Sequence, residues 1–198
     1  MKPMVDTLLD NMKKYNPEMT EAQLRTRRYG LEAMVSDFSK LLIYAVIFSI
    51  FGVGLQYLVS LLVYASIRSF TGGYHANSYW SCFFVSLAGF VFTIGAGFYP
   101  DIGNIACIAA LAASAAVDLV FAPVPHPNKP NKDSLKRKRF KIISFIIILV
   151  FGGIAFLLPY QYKVTVIASI FLVAVMQLLG HWLNGKSKDK NIIMRGAK

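Results

Sequence analysis

In the stretch "RSFTGGYHANSYWSC", residues 68–82, His75 stands seven residues before Cys82. The chain has three histidines and two cysteines, so this pairing is worth weighing as chemistry. A thiol becomes a nucleophile when a base within hydrogen-bond reach, about 3 Å, takes its proton and the surroundings favour the thiolate. On one straight helix, both side chains would share a face. A rise of about 1.5 Å per residue would still hold them roughly 10 Å apart along the axis. The stretch offers a remedy. Gly72 and Gly73 permit an irregular turn, and Asn77 or Ser78 suits the N-cap of a new helix. A helix starting there carries Cys82 in its second turn, with His75 folding back from the loop. The helix amino terminus and an imidazolium then both support a thiolate. A blander reading of the same residues is a loop at a membrane interface. Tyr74, Tyr79 and Trp80 would join an aromatic belt, and Arg68 would anchor a helix end among headgroups.

The elements that must position these residues are apolar. Of 198 residues, 56% are hydrophobic, and the formal charge of +11 comes from basic residues that flank the apolar runs. This predicts an integral membrane protein. A soluble helical protein would need solvated helix faces, and residues 142–158 and 164–179 have almost none. Topology and anionic lipid headgroups explain the basic residues better than nucleic acid does, so membrane lipids are the expected partner and nucleic acid is not. Two cysteines make no disulfide framework, and no CxxC or HExxH spacing points to a metal. No cofactor is expected. Charged and polar residues fill the first forty positions, so no signal peptide is expected.

Along the chain, residues 1–38 read as two amphipathic helices on the membrane surface. Val5, Leu8, Leu9 and Met12 recur at helical spacing. Asn16-Pro17 breaks the first helix, and Thr20 with Gln23 makes a capping box for "EAQLRTRRYGLEAMVSDF". Apolar stretches follow at 41–67, 83–99 and 105–122. A proline-rich basic loop, 123–141, precedes two more at 142–158 and 164–182, and residues 184–198 form a polar tail. The amino-terminal region, the 123–141 loop and the tail are basic, so the positive-inside rule puts all three in the cytoplasm. Even parity then requires residues 41–67 to turn as a short hairpin near "GVGLQ", residues 52–56. The competing topology has residues 83–99 dipping in and returning. The expected fold is one all-α polytopic membrane domain, 1–198, with about six transmembrane helices after the amphipathic ones. Both termini and the 68–82 segment would face the cytoplasm of a bacterial cell.

Arg68, Gly73, His75 and Cys82, at their spacing, resemble the signature of the accessory gene regulator B (AgrB) family. "APVPHPNKP", residues 122–130, is similar to that family's proline-flanked loop. The resemblance implies a membrane cysteine endopeptidase of Gram-positive bacteria. Such an enzyme cuts the carboxyl-terminal part from a small amphipathic propeptide and helps to form a cyclic thiolactone or lactone for quorum sensing. It implies Cys82 as nucleophile, His75 as base, Arg68 and Gly73 as residues needed for activity, and a homodimer. Gly73 would permit the turn that delivers His75, while Arg68 would bind a propeptide carboxylate or brace the loop. The acyl-enzyme thioester would meet either water or a thiol of the propeptide. The basic run at 136–141 either attracts an acidic propeptide tail or serves only as a topology signal.

Asp118, near the end of an apolar stretch, admits three roles: orienting His75, capping the basic loop, or sitting at the interface. Asn77 is a second candidate to orient His75. Cys107 reads as a small buried hydrophobe, and Gln177 and His181, on one helix face, as interface markers. Two rival functions stand beside the peptidase. A transporter or peptide exporter would line a lumen with polar residues from several spans. A thiol acyltransferase would call for a cysteine-rich zinc region, which the sequence lacks.

Overall fold

The computed structural model describes residues 2–16, 18–73, 78–124 and 134–196. The elements formed by these residues are helices: α1 (Lys2–Tyr15), α2 (Glu21–Ile50), α3 (Gly54–Thr71), α4 (Tyr79–Phe98), α5 (Asn104–Phe121), α6 (Ser134–Ala155) and α7 (Tyr160–Gly196). The chain divides into two compact units, Met1–Phe51 and Gly52–Lys198.

In the first unit, Thr20 caps α2 as its spacing with Gln23 predicts. Thr20 Oγ1 accepts the Gln23 amide at 3.4 Å, and Gln23 Oε1 accepts the Thr20 amide at 3.1 Å. Arg28 on α2 reaches both Asp6 of α1 and Glu32 one turn on. These pairs are about half exposed, so each contributes at most about 1 kcal/mol. Val5 and Leu9 of α1 are buried. From Glu21 to Ile50 α2 is unbroken, so the polar segment ending at Phe38 and the apolar residues after it form one helix. It stops at residues 51–53, where Gly52 takes φ +73°, within the stretch whose glycines predict a turn.

In the second unit, α7 is the centre, with an unbroken buried run at residues 164–170. Its neighbours alternate in direction. Asn104 meets Lys163 at 2.8 Å and Asp118 meets Gln177 at 3.0 Å, so α5 runs parallel to α7. A β-carbon on Gly97 would touch Gln161, and one on Gly89 would touch Leu172, so α4 runs antiparallel to α7. Asp118 meets Ser144, and Gly152 faces Leu111, which makes α6 antiparallel to α5. Glycine is required at 97, where an added β-carbon would stand 2.7 Å from the Gln161 carbonyl oxygen, whereas at 89 and 152 it would meet only the flexible ends of Leu172 and Leu111.

The unit is inside-out relative to a water-soluble bundle. Leu58, Leu62, Phe84, Phe92, Ile108, Val120, Ile146 and Val150 are exposed, while Ser60, Thr93, Ser114, Asp118, Ser144, Thr165, Ser169 and Gln177 are buried. The buried hydroxyls bond one another or the main chain. Ser60 Oγ lies 2.9 Å from Thr93 Oγ1 and 2.8 Å from Ser169 Oγ, joining α3, α4 and α7. Thr165 donates to the Gln161 carbonyl and Ser169 to that of Thr165. This is the arrangement that lipid as solvent demands, with apolar surface outward and hydroxyl groups bonded within. Among the described residues, four helical segments are long and apolar enough to cross a bilayer: Gln23–Ile50, Tyr79–Phe98, Asn104–Phe121 and Tyr160–Leu183. Gln56 and Arg68 lower the hydropathy of α3, and α6 opens with Lys136, Arg137, Lys138, Arg139 and Lys141 before its apolar run. The protein is an all-α membrane protein.

Candidate active site

The alternating directions of α3 to α7 bring distant parts of the sequence to one end of the second unit. The carboxyl end of α3, the amino end of α4, the carboxyl end of α5, the amino end of α6 and the second half of α7's apolar run all lie there. The turn at residues 100–103 lies at the opposite end. There Tyr160 accepts the Ile102 amide at 2.7 Å and donates to the Tyr99 carbonyl at 2.9 Å.

Helix α3 ends at Thr71, and the next residues turn sharply. Gly72 takes φ +68° and Gly73 φ +138°. Both need glycine, for conformation and for space. A β-carbon on Gly72 would stand 3.1 Å from the Val124 carbonyl oxygen. One on Gly73 would stand 3.1 Å from Arg68 Nη1 and 3.2 Å from the Met176 carbonyl oxygen. Arg68, in the last turn of α3, therefore lies over the turn it precedes, with its guanidinium 5.4 Å from the Tyr64 ring centre. Arg68 and Gly73, five residues apart in sequence, are side by side. Val124 N donates to the Thr71 carbonyl at 2.8 Å, so the "APVPHPNKP" motif begins against the end of the "RSFTGG" motif.

Helix α4 starts anew at Tyr79. Ser78 is its N-cap and accepts the Ser81 amide at 3.1 Å. Cys82 is the fourth helical residue, half-buried, with its amide bonded to the Ser78 carbonyl at 3.0 Å. The helix presents its electropositive amino end here. In the antiparallel register of α4 and α7, Gly89 faces Leu172. Seven residues earlier on α4, Cys82 is about level with Leu179, close to the depth of Met176 and Gln177. His75 and Asn77, the expected base and one residue expected to orient it, lie outside the described residues.

Asp118 does not sit at an exposed interface. It is fully buried between three helices. Gln177 Nε2 of α7 donates to one carboxyl oxygen at 3.0 Å, and Ser144 Oγ of α6 donates to the other at 2.8 Å. Ser144 Oγ also lies 3.0 Å from the Lys141 carbonyl. Its single proton serves the carboxyl group, the stronger acceptor. Gln177, read from the sequence as an interface marker, is 1% exposed, while His181 is exposed and lies 5.0 Å, ring to ring, from Phe121. Ser144 is not among the sequence candidates. The available signal is its position as a lone hydroxyl in an apolar run, because a polar group inside a membrane is costly and needs a partner. Cys107 is buried among apolar residues in the first turn of α5, at the end of the unit opposite Cys82. The inward polar residues resemble the transporter pattern in number, but the hydrogen bonds join them to one another or to the main chain. Among the described residues, no cluster of His, Cys, Asp or Glu is placed to hold a metal.

Residues 5–180 match the family model described as "Accessory gene regulator B". The chain is 26% identical over 181 residues to a putative AgrB-like protein of Clostridium beijerinckii, covering 89% of each chain. It is 28% identical over 151 residues to accessory gene regulator protein B of Staphylococcus haemolyticus, covering 76% of this chain and 80% of that one. No solved structure matches it.

Proposed function

The chain belongs to the accessory gene regulator B family, which serves quorum sensing, and from that premise we propose that it is a membrane cysteine endopeptidase. Its substrate is a small amphipathic propeptide, and Cys82 cuts off the carboxyl-terminal part. The observation that carries this reading is the convergence of the signature residues. Arg68 and Gly73 form one turn, and Cys82 opens a helix at that same end of the bundle.

The steps follow from thiol chemistry. His75 takes the Cys82 proton, and the sulfur attacks a propeptide carbonyl carbon to form a C–S bond. The C–N bond breaks, and the leaving amine takes the proton from the imidazolium. A thioester on Cys82 remains. A thiol of the propeptide attacks it, closes a thiolactone and returns the Cys82 thiol. One thioester is exchanged for another, so no external energy source is needed. Water would give a linear product instead, and a water-poor site favours the exchange. The basic residues at 136–141 and the positive-inside rule favour a cytoplasm-facing site, where the propeptide is made.

The test uses the purified protein in lipid with a small amphipathic propeptide as substrate. The released carboxyl-terminal fragment is followed by mass spectrometry. Cys82→Ala should release none. Wild-type release by Cys82→Ala would remove the peptidase assignment.

A further inference from the structure

The buried amide of Gln177 is half-used. Its Nε2 donates to Asp118, while its Oε1 has no hydrogen-bond partner among the described residues. A buried acceptor without a donor is costly, so an N–H or O–H must come to it. The amide's direction is fixed from behind. Asp118 takes the Ser144 proton on its second oxygen and offers acceptors, so Gln177 turns its NH₂ towards the carboxyl group and its oxygen away.

The turn after α3 supplies the donor. Arg68 Nη1 and the carbonyl oxygen of Met176, the residue before Gln177, both lie within 3.2 Å of one point, the β-carbon position of Gly73. Nη1 is buried there. A guanidinium carries several N–H groups, so its place beside the Tyr64 ring leaves it able to donate. Rival donors near the turn are weaker. The Thr71 hydroxyl already donates to the Gly72 carbonyl at 3.2 Å, and His181 is exposed beside Phe121. Charge favours the same pairing. Asp118 is a fully buried carboxyl group, and a carboxylate and a guanidinium held inside a membrane protein are stable when they are joined.

We propose that Gln177 links a buried chain running from Asp118, through its own amide, to the guanidinium of Arg68, and that this chain positions Arg68 for the reaction. Oε1 accepts from Arg68 directly or through one water. The structure brings both ends to one turn with this last bond open, and rotation of the long Arg68 side chain closes it. The inference rests on the peptidase reading and decides between two roles for Arg68. An acceptor oxygen facing the guanidinium repels a propeptide carboxylate, so Arg68 braces the Gly73 turn instead.

Asp118→Asn is nearly isosteric, yet it should break the chain. The new carboxamide would accept from Ser144 and donate to residue 177, so Gln177 would turn over and set its NH₂ against the guanidinium. Adding Gln177→Glu should restore the chain, because a carboxylate at 177 accepts from that carboxamide with one oxygen and from Arg68 with the other.

The experiment reads Arg68 itself and needs no propeptide for its first arm. Purified protein in lipid is treated with phenylglyoxal, which modifies accessible guanidinium groups. The rate at Arg68 is mapped by mass spectrometry against the exposed Arg137. Arg68 should react at least about tenfold faster in Asp118→Asn than in wild type, and Asp118→Asn with Gln177→Glu should bring it back close to the wild-type rate. In the second arm, fragment release should follow in step. Its kcat should fall at least about tenfold in Asp118→Asn with KM little changed, and the double variant should recover most of it. A wild-type Arg68 rate in Asp118→Asn overturns the chain. So does a double variant no slower than Asp118→Asn, as a merely structural role for Asp118 requires. Arg68 rates that follow the chain while cleavage does not overturn the positioning role. Wild-type release by Cys82→Ala strikes the peptidase reading, and the positioning role with it. Should Asp118→Asn fail to accumulate as folded protein, Gln177→Met removes the acceptor at similar length, and a wild-type Arg68 rate there overturns the proposal.

Discussion

Gly73 lies against the main chain of Met176, so close that a β-carbon would stand 3.2 Å from the Met176 carbonyl oxygen. Helix α7 and the turn after α3 thus touch without a side chain between them. Gly73 also takes a left-handed φ, so both space and conformation exclude other residues. Gly73→Ala should cost about 1–3 kcal/mol of stability and lower propeptide cleavage at least about tenfold, a loss of about 1.4 kcal/mol in transition-state stabilisation. Gly153→Ala, where a β-carbon meets nothing within 4 Å, should be neutral or slightly stabilising. Thermal unfolding in detergent and the fragment-release assay check both.

The two cysteines should separate cleanly. Cys107, packed in the first turn of α5 at the far end from Cys82, should tolerate alanine with wild-type cleavage. His75→Ala should lose cleavage at neutral pH and recover partly as pH rises, where thiols ionise without help from a base. A pH series of fragment release on both variants decides. Wild-type activity of His75→Ala at neutral pH would exclude it as the base.

Sidedness can be read from two positions at opposite ends of the second unit. With Cys82 and Cys107 replaced, a cysteine at Ser134, beside the basic start of α6, should be protected from a membrane-impermeant maleimide added to intact cells. A cysteine at the exposed Asp101 should react. The reverse pattern would invert the assigned orientation.

Ser60 joins three helices through Thr93 and Ser169. Ser60→Ala should lower stability by about 0.6–1.7 kcal/mol, the range measured for hydrogen bonds between membrane helices. It should leave the rate of Cys82 alkylation unchanged, because Ser60 lies several turns below the site. Unfolding in mixed micelles measures the first effect and iodoacetamide kinetics the second.

Much of the local structure is legible in the sequence. Thr20 and Gln23 mark a helix start, the glycines at 52 and 54 mark a break, and Ser78 marks the cap that places Cys82. Each is a signal carried within a few residues. Hydropathy marks the apolar stretches, but not the continuity of α2, because residues 25–38 have a polar character that reads as a separate helix. The bond between Asp118 and Gln177 spans 59 positions. It depends on the rotation of α5 and α7 about their axes, which glycine contacts such as Gly97 on Thr165 set and no local pattern encodes. For the same reason Gln177 reads as a border residue in the sequence, and Ser144 has no prominence there.

The hydrogen bond from Val124 to Thr71 fastens the chain leaving α5 to the chain entering the α4 region, and Tyr160 fastens the far turn through Tyr99 and Ile102. The α4–α5 hairpin is thus clamped at base and tip and behaves as a strut. Sliding α4 along α7 by a single residue, about 1.5 Å, would strain both fastenings at once. The sulfur of Cys82 is then a stationary tool, and the travelling part of each turnover is the peptide, which must be drawn past it and, on closing its ring, fold back upon itself.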